Sequence, residues 1–157
     1  MSSYLTFYLV PKKTIKKFVF EGDGGSEQEV KVSEGIPLTL MSFSRSSDIY
    51  QTFTENMYNI AYAGNEEKYT ELTLEDMKEI CNSVKSDIAI AEERLAIDYK
   101  IIKESKCDND MWENIHSSEE YIKDLKNNLN EINNIYYIVD EITNGYTSFE
   151  KVLINIG

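Results

Sequence analysis

The chain reads as an α+β protein: a small N-terminal antiparallel β-sheet with one covering helix, followed by a long antiparallel α-helical hairpin of coiled-coil type. Three patterns predict this. Apolar residues alternate with period two early in the chain, a helical period governs residues 48–62, and two heptad-like series run through the second half. A length of 157 residues suits one domain. The β-rich part with its helix (1–64) and the hairpin with a short C-terminal segment (65–157) are therefore read as one continuous unit. With 41% hydrophobic and 28% charged residues, the chain can bury a core and is not a disordered polymer.

The β elements come first. In Leu5-Thr-Phe7-Tyr-Leu9 every second residue is apolar, the period of a half-buried strand, and Pro11 is expected to end that strand or mark an edge. Phe18-Val-Phe20 and Val30-Lys-Val32 flank Gly22-Asp-Gly-Gly25, whose residues tolerate a tight turn, so a hairpin is expected. Leu38 to Phe43 makes a further strand. A helix over Asp48–Tyr62 follows, because Ile49, Phe53, Met57 and Ile60 share one face; Ser46 or Ser47 caps it and Gly64 stops it.

The strongest pattern lies further on. From Thr73, whose Thr-x-x-Asp76 spacing approximates a capping box, Leu74, Met77, Cys81, Val84, Ile88, Ala91, Leu95, Asp98 and Ile102 step by three and four. A second series, Ile122, Leu125, Leu129, Ile132, Tyr136 and Val139, is introduced by Ser117-x-x-Glu120 and closed by Asn144-Gly145. Helices over about 73–105 and 118–144 thus share a seam, and the short link makes them antiparallel. Ile80, Ile101, Ile135 and Ile142 border the seam and need cover from the sheet or from a second copy in a homodimer. Residues 146–157 fit a short helix, through Thr147-x-x-Glu150, or a returning strand, through Val152-Leu-Ile154.

Charge narrows the function. The net charge is -12, and it divides unevenly: residues 1–64 carry 6 basic and 7 acidic groups, residues 65–157 carry 10 and 21. Such a surface repels phosphate backbones, so direct nucleic-acid binding is not expected and a basic protein partner is. Cys81 and Cys107 have neither disulfide nor CxxC spacing, the N-terminus lacks a signal-peptide pattern, and no stretch approaches the ~20 apolar residues of a membrane span. The expectation is a cytoplasmic protein with no membrane association. High Ile, Lys, Asn and Tyr with two prolines matches an AT-rich genome, hence a bacterial or phage-infected host cell.

Most catalytic chemistries lack their residues. The single histidine, His116, precedes the expected cap at Ser117, a setting for an exposed imidazole rather than a catalytic base. Glu113-Asn-Ile-His116 is a lone Glu-x-x-His where di-iron bundles need two, and two separated cysteines with one histidine do not make a zinc site. The doublets Glu66-Glu67, Glu92-Glu93, Glu119-Glu120 and Asp140-Glu141 place adjacent carboxylates about 100° apart on a helix, which is a solvated face and not an acid/base pair. Glu21 to Glu27 falls short of a calcium loop and reads as a hairpin turn. No catalytic residue, metal or cofactor is assigned.

Two polar clusters stand out. Ser44, Arg45, Ser46 and Ser47 join a strand to a helix N-terminus, where amides, hydroxyls and a guanidinium could cradle an anion; helix capping is the simpler reading. The link between the long helices carries the better functional pattern. Cys107 to Glu120 contains Asp108, Asp110, Glu113, Glu119 and Glu120, no Lys or Arg, and Trp112 beside Met111. Aromatic area in a field of one sign suits a partner-binding tip. The simpler reading has Trp112 and Met111 plug the open end of the hairpin, and both can hold together.

The function expected is non-catalytic protein–protein interaction. Its specific form resembles mobile-element inhibitors, which set carboxylates against a basic, nucleic-acid-handling machine that expects phosphates. The mixed charge of residues 73–106, 8 acids and 6 bases, weakens that mimicry. The alternatives are an assembly module that homo-oligomerises through the hairpin and an enzyme with an unrecognised site.

Overall fold

A computed structural model describes residues 4–61, 69–104 and 109–157. In chain order the elements are β1 (Tyr4–Glu21), β2 (Gly24–Glu34), β3 (Leu38–Ser44), α1 (Asp48–Ala61), β4 (Thr70–Leu72), α2 (Leu74–Glu104), α3 (Asn109–Thr143) and β5 (Phe149–Ile156). The fold is α+β, as the patterns predict. Its five strands pair antiparallel in the order β2-β1-β5-β4, with β3 also on β1.

Period two in β1 sets the inner face of the sheet. Leu5, Phe7 and Leu9 lie opposite Ile156, Ile154 and Val152 of β5, and Leu5, Phe7 and all three β5 partners are buried. α1 lays Ile49, Phe53 and Met57 on that face, where the Phe7 ring meets Phe53 and Phe43 edge-on at centroid distances of 5.2 and 6.0 Å.

Two expectations about the sheet need correction. It is not built from the N-terminal part alone, because β5 returns to lie between β1 and β4 and resolves the tail as a strand. Nor does Pro11 end the first strand. β1 runs through it with a register shift between Val10 and Pro11, and the Pro11 carbonyl accepts the Gly35 amide at 2.9 Å. A proline in a ladder is tolerated where the missing N–H coincides with such an irregularity. Beyond that point β1 pairs with β2 from Lys12 to Glu21, the expected hairpin, turning at Gly22-Asp23 with Gly22 at φ 58°. Lys12 donates to the Thr147 carbonyl and Lys31 forms an ion pair with Glu150, and both contacts tie this ribbon to the end of the chain around β5.

The helix ends follow the capping rules. Ser47 caps α1, its hydroxyl accepting the Tyr50 amide at 3.2 Å. Before α2, Thr73 and Asp76 form a reciprocal capping box: the Thr73 amide donates to Asp76 Oδ2 at 3.0 Å and the Asp76 amide to Thr73 Oγ1 at 3.1 Å. We predict that Thr73→Ala costs about 1 kcal/mol, lowering the melting temperature by about 3 °C in a thermal melt; no shift would mean that the box adds nothing. α3 ends as read, with Gly145 at φ 76° and amides of Gly145 and Tyr146 returning to the carbonyls of Ile142 and Glu141.

α2 and α3 pack antiparallel, at ~1.5 Å per residue about 46 and 52 Å long. Their seam is buried on both helices at the root, at Met77, Cys81, Val84, Ile88, Ile132 and Val139; further out Ile122 and Ile115 of α3 stay buried while Leu95, Asp98 and Ile102 of α2 are only partly covered. Ile80, Ile135 and Ile142 are buried in the core shared with the sheet, whereas Ile101 stays exposed. No helix among the described residues is long and apolar enough to cross a membrane.

Cys81 is one of the seam residues, donating to Asn133 Oδ1 at 3.7 Å. Burial pushes its thiol above the ordinary value, with Lys85 opposing. A thiol raised in the folded state keeps its contribution to stability below the unfolded pKa and loses it as pH climbs through the folded one, so stability declines in alkaline buffer. We predict that Cys81 resists a thiol reagent until the chain unfolds; rapid labelling of the native protein would contradict the seam assignment. Cys107 lies outside the described residues.

Candidate functional site

The expected link between the long helices is mostly helix, which corrects the start of the second helix from 118 to Asn109. From Cys107 to Glu120 there is no Gly or Pro to break the period, and Met111, Ile115 and Ser118 carry the heptad spacing three further steps ahead of Ile122. Ile115 is 2% exposed. Ser117 and Glu120 therefore sit inside α3 and cap nothing, because a Ser-x-x-Glu spacing is also what any polar helix face produces. His116 is on an exposed helical turn rather than before a cap.

The outer end of the hairpin places the predicted residues as follows. Asp110 is in the first turn of α3, where it complements the helix dipole. Trp112 and Glu119, seven residues apart, share the flank of α3 that borders α2; Glu113 and Glu120 share the outward face. Asp110, Trp112, Glu113 and Glu120 are exposed, and Met111 and Glu119 are partly buried. Asp108 lies outside the described residues.

Trp112 is 47% exposed. The seam at this end is filled by Ile115, with Met111 partly covered beside it, so the indole retains area for contact. Glu119 is fixed from two sides: Tyr99 of α2 donates its hydroxyl to Oε1, and His116 Nδ1 stands 3.8 Å from Oε2. Further in on the same flank, Lys126 of α3 pairs with Glu92 of α2 at 2.8 Å. Asp110, Glu113 and Glu120 enter no ion pair among the described residues. The start of α3 therefore carries three carboxylates that enter no ion pair among the described residues, Asp110 in its first turn and Glu113 and Glu120 on its outward face, with a half-exposed indole on the flank towards α2. Tyr99 is the contributor that sequence reading passed over, although its position flanking the seam of α2 marks it as a neighbour of α3.

The Ser/Arg cluster is brought together as a cap. Ser47 Oγ donates to the Ser44 carbonyl at 2.7 Å, the Ser44 and Ser46 hydroxyls meet at 3.0 Å, and Gln51 Nε2 donates to the Arg45 carbonyl at 2.9 Å. Its hydroxyls are engaged with each other and with backbone, which leaves the exposed Arg45 guanidinium as the available group for an anion. Among the described residues, no group of three or more His, Cys, Asp or Glu side chains is placed to hold a metal ion. No protein-family model, no curated protein and no solved structure matches this chain.

Proposed function

We propose that the protein is a non-catalytic interaction protein whose acidic helical tip docks on a basic protein surface in the cytoplasm of a bacterial or phage-infected cell. One observation carries this reading: the start of α3 bears Asp110, Glu113 and Glu120, which enter no ion pair among the described residues, together with the half-exposed Trp112. An aromatic anchor supplies contact energy, and charge of one sign steers a basic partner and sets its orientation. The partner of matching chemistry is a nucleic-acid-handling protein, whose phosphate-binding face would meet carboxylates instead. Lysines along α2 confine this mimicry to the start of α3.

Self-association through the hairpin is the second reading. Ile90, Ile97 and Ile101 are exposed along one stripe of α2, with Tyr121 of α3 exposed on the same flank. A pull-down from bacterial lysate at low and high salt separates the two readings. Capture of a basic protein that is lost at high salt supports docking by the tip, since screening weakens exposed charge pairs. Self-association that persists in salt, with no such capture, supports the assembly module instead.

A further inference from the structure

A second acidic surface lies where α1 crosses the hairpin. There Asp48, Glu55, Asp87 and Asp124, from three helices, line a cavity of about 220 Å³ together with Thr52 and Asn128, and among the described residues no Lys or Arg lines it. None of the four carboxylates enters an ion pair among the described residues. Asn128 supplies an independent observation. It is 6% exposed, the only buried polar side chain among the described residues. Thr52 spends its hydroxyl hydrogen on the Asp48 carbonyl at 2.9 Å, so its oxygen accepts from Asn128 Nδ2, also at 2.9 Å. That orientation leaves Asn128 Oδ1 buried and without a donor. A buried acceptor in this state carries a desolvation cost that an N–H donor would relieve.

We propose that this cavity binds an organic ammonium chain, with Asn128 Oδ1 accepting one N–H and the carboxylates facing the remaining charge. The acids do not converge tightly enough for a metal ion, and a cation with charges spread along a chain suits acids distributed around a groove. Val84 and Leu125, which line the same cavity, pack against the methylenes. Arg94 borders an adjoining cavity that shares Asp87 and Tyr121, so Asp48, Glu55 and Asp124 hold most of the unbalanced charge. The ammonium can come from a free polyamine or from a lysine side chain of a protein. This inference does not rest on the role of the tip.

The test is calorimetric titration of the full chain with spermidine, and separately with a short lysine peptide, at about 0.15 M salt. A saturable single site for either ligand is expected, weakened about 10-fold or more in Glu55→Gln/Asp124→Asn and in Asn128→Leu. Binding of spermidine alone assigns the free polyamine; binding of the peptide assigns a protein lysine. Both substituted acids are exposed, so the double variant keeps the test decisive if Asn128→Leu unfolds. Absence of a saturable site, or affinity unchanged in the double variant, overturns the proposal. Equal displacement by Mg²⁺ at matched charge, which marks a mere counterion atmosphere, overturns it as well.

Discussion

Ile132→Asp is expected to abolish cooperative folding. Ile132 is 0% exposed on the seam of α3, inside the core that joins the hairpin to the sheet. Its replacement would bury a carboxylate with no partner, costing several kcal/mol against a total stability of roughly 5–15 kcal/mol. Leu95→Asp should be milder, because the seam is only partly covered there and the charge can reach water. Circular dichroism melts of both variants check the gradient. Ile132→Asp melting within a degree or two of the parent, or Leu95→Asp proving the worse, would contradict the packing described.

The second large effect is in the sheet. Phe7→Ala removes a fully buried ring and both of its edge-on contacts, to Phe43 and Phe53. The expected cost is about 3–5 kcal/mol, which lowers the melting temperature by roughly 10 °C. Phe20→Ala is the control: Phe20 is 81% exposed near the end of the β1–β2 ribbon, where it touches only the Phe18 ring among the aromatic pairs described. A melting temperature unchanged in the first variant would mean that Phe7 does not anchor α1 to the sheet.

Elements were legible where local rules act without rivals. Ser47, Thr73 with Asp76, and Asn144-Gly145 mark helix ends as their side chains and backbone freedom require, and the apolar steps of both seams fall on buried or partly buried residues. Reading failed where two local rules compete. Ser117-x-x-Glu120 has the spacing of a cap, yet the apolar pair Met111 and Ile115 continues the seam through it, and burial of Ile115 outweighs a cap that would have cut the helix short. Thr147-x-x-Glu150 poses the same ambiguity, decided for β5 by its place between two other strands. β4, three residues long, carries too little pattern to be seen. Of the candidate sites, the tip was visible because its acids are contiguous in sequence. The cavity under α1 was not, because Asp48, Asp87 and Asp124 meet only through the packing of three helices.

The central functional claim is that residues around Trp112 recognise a partner. The most direct measurement takes Trp112→Ala and the triple variant Asp108→Asn/Asp110→Asn/Glu113→Gln, and follows capture of the salt-sensitive partner and the melting temperature on the same samples. Recognition predicts that Trp112→Ala weakens binding by about 2 kcal/mol or more with little change in stability, while the amide variant slows association and flattens its salt dependence. Unchanged capture by both variants, or a Trp112→Ala that lowers only the melting temperature, would contradict it and leave Trp112 with a packing role.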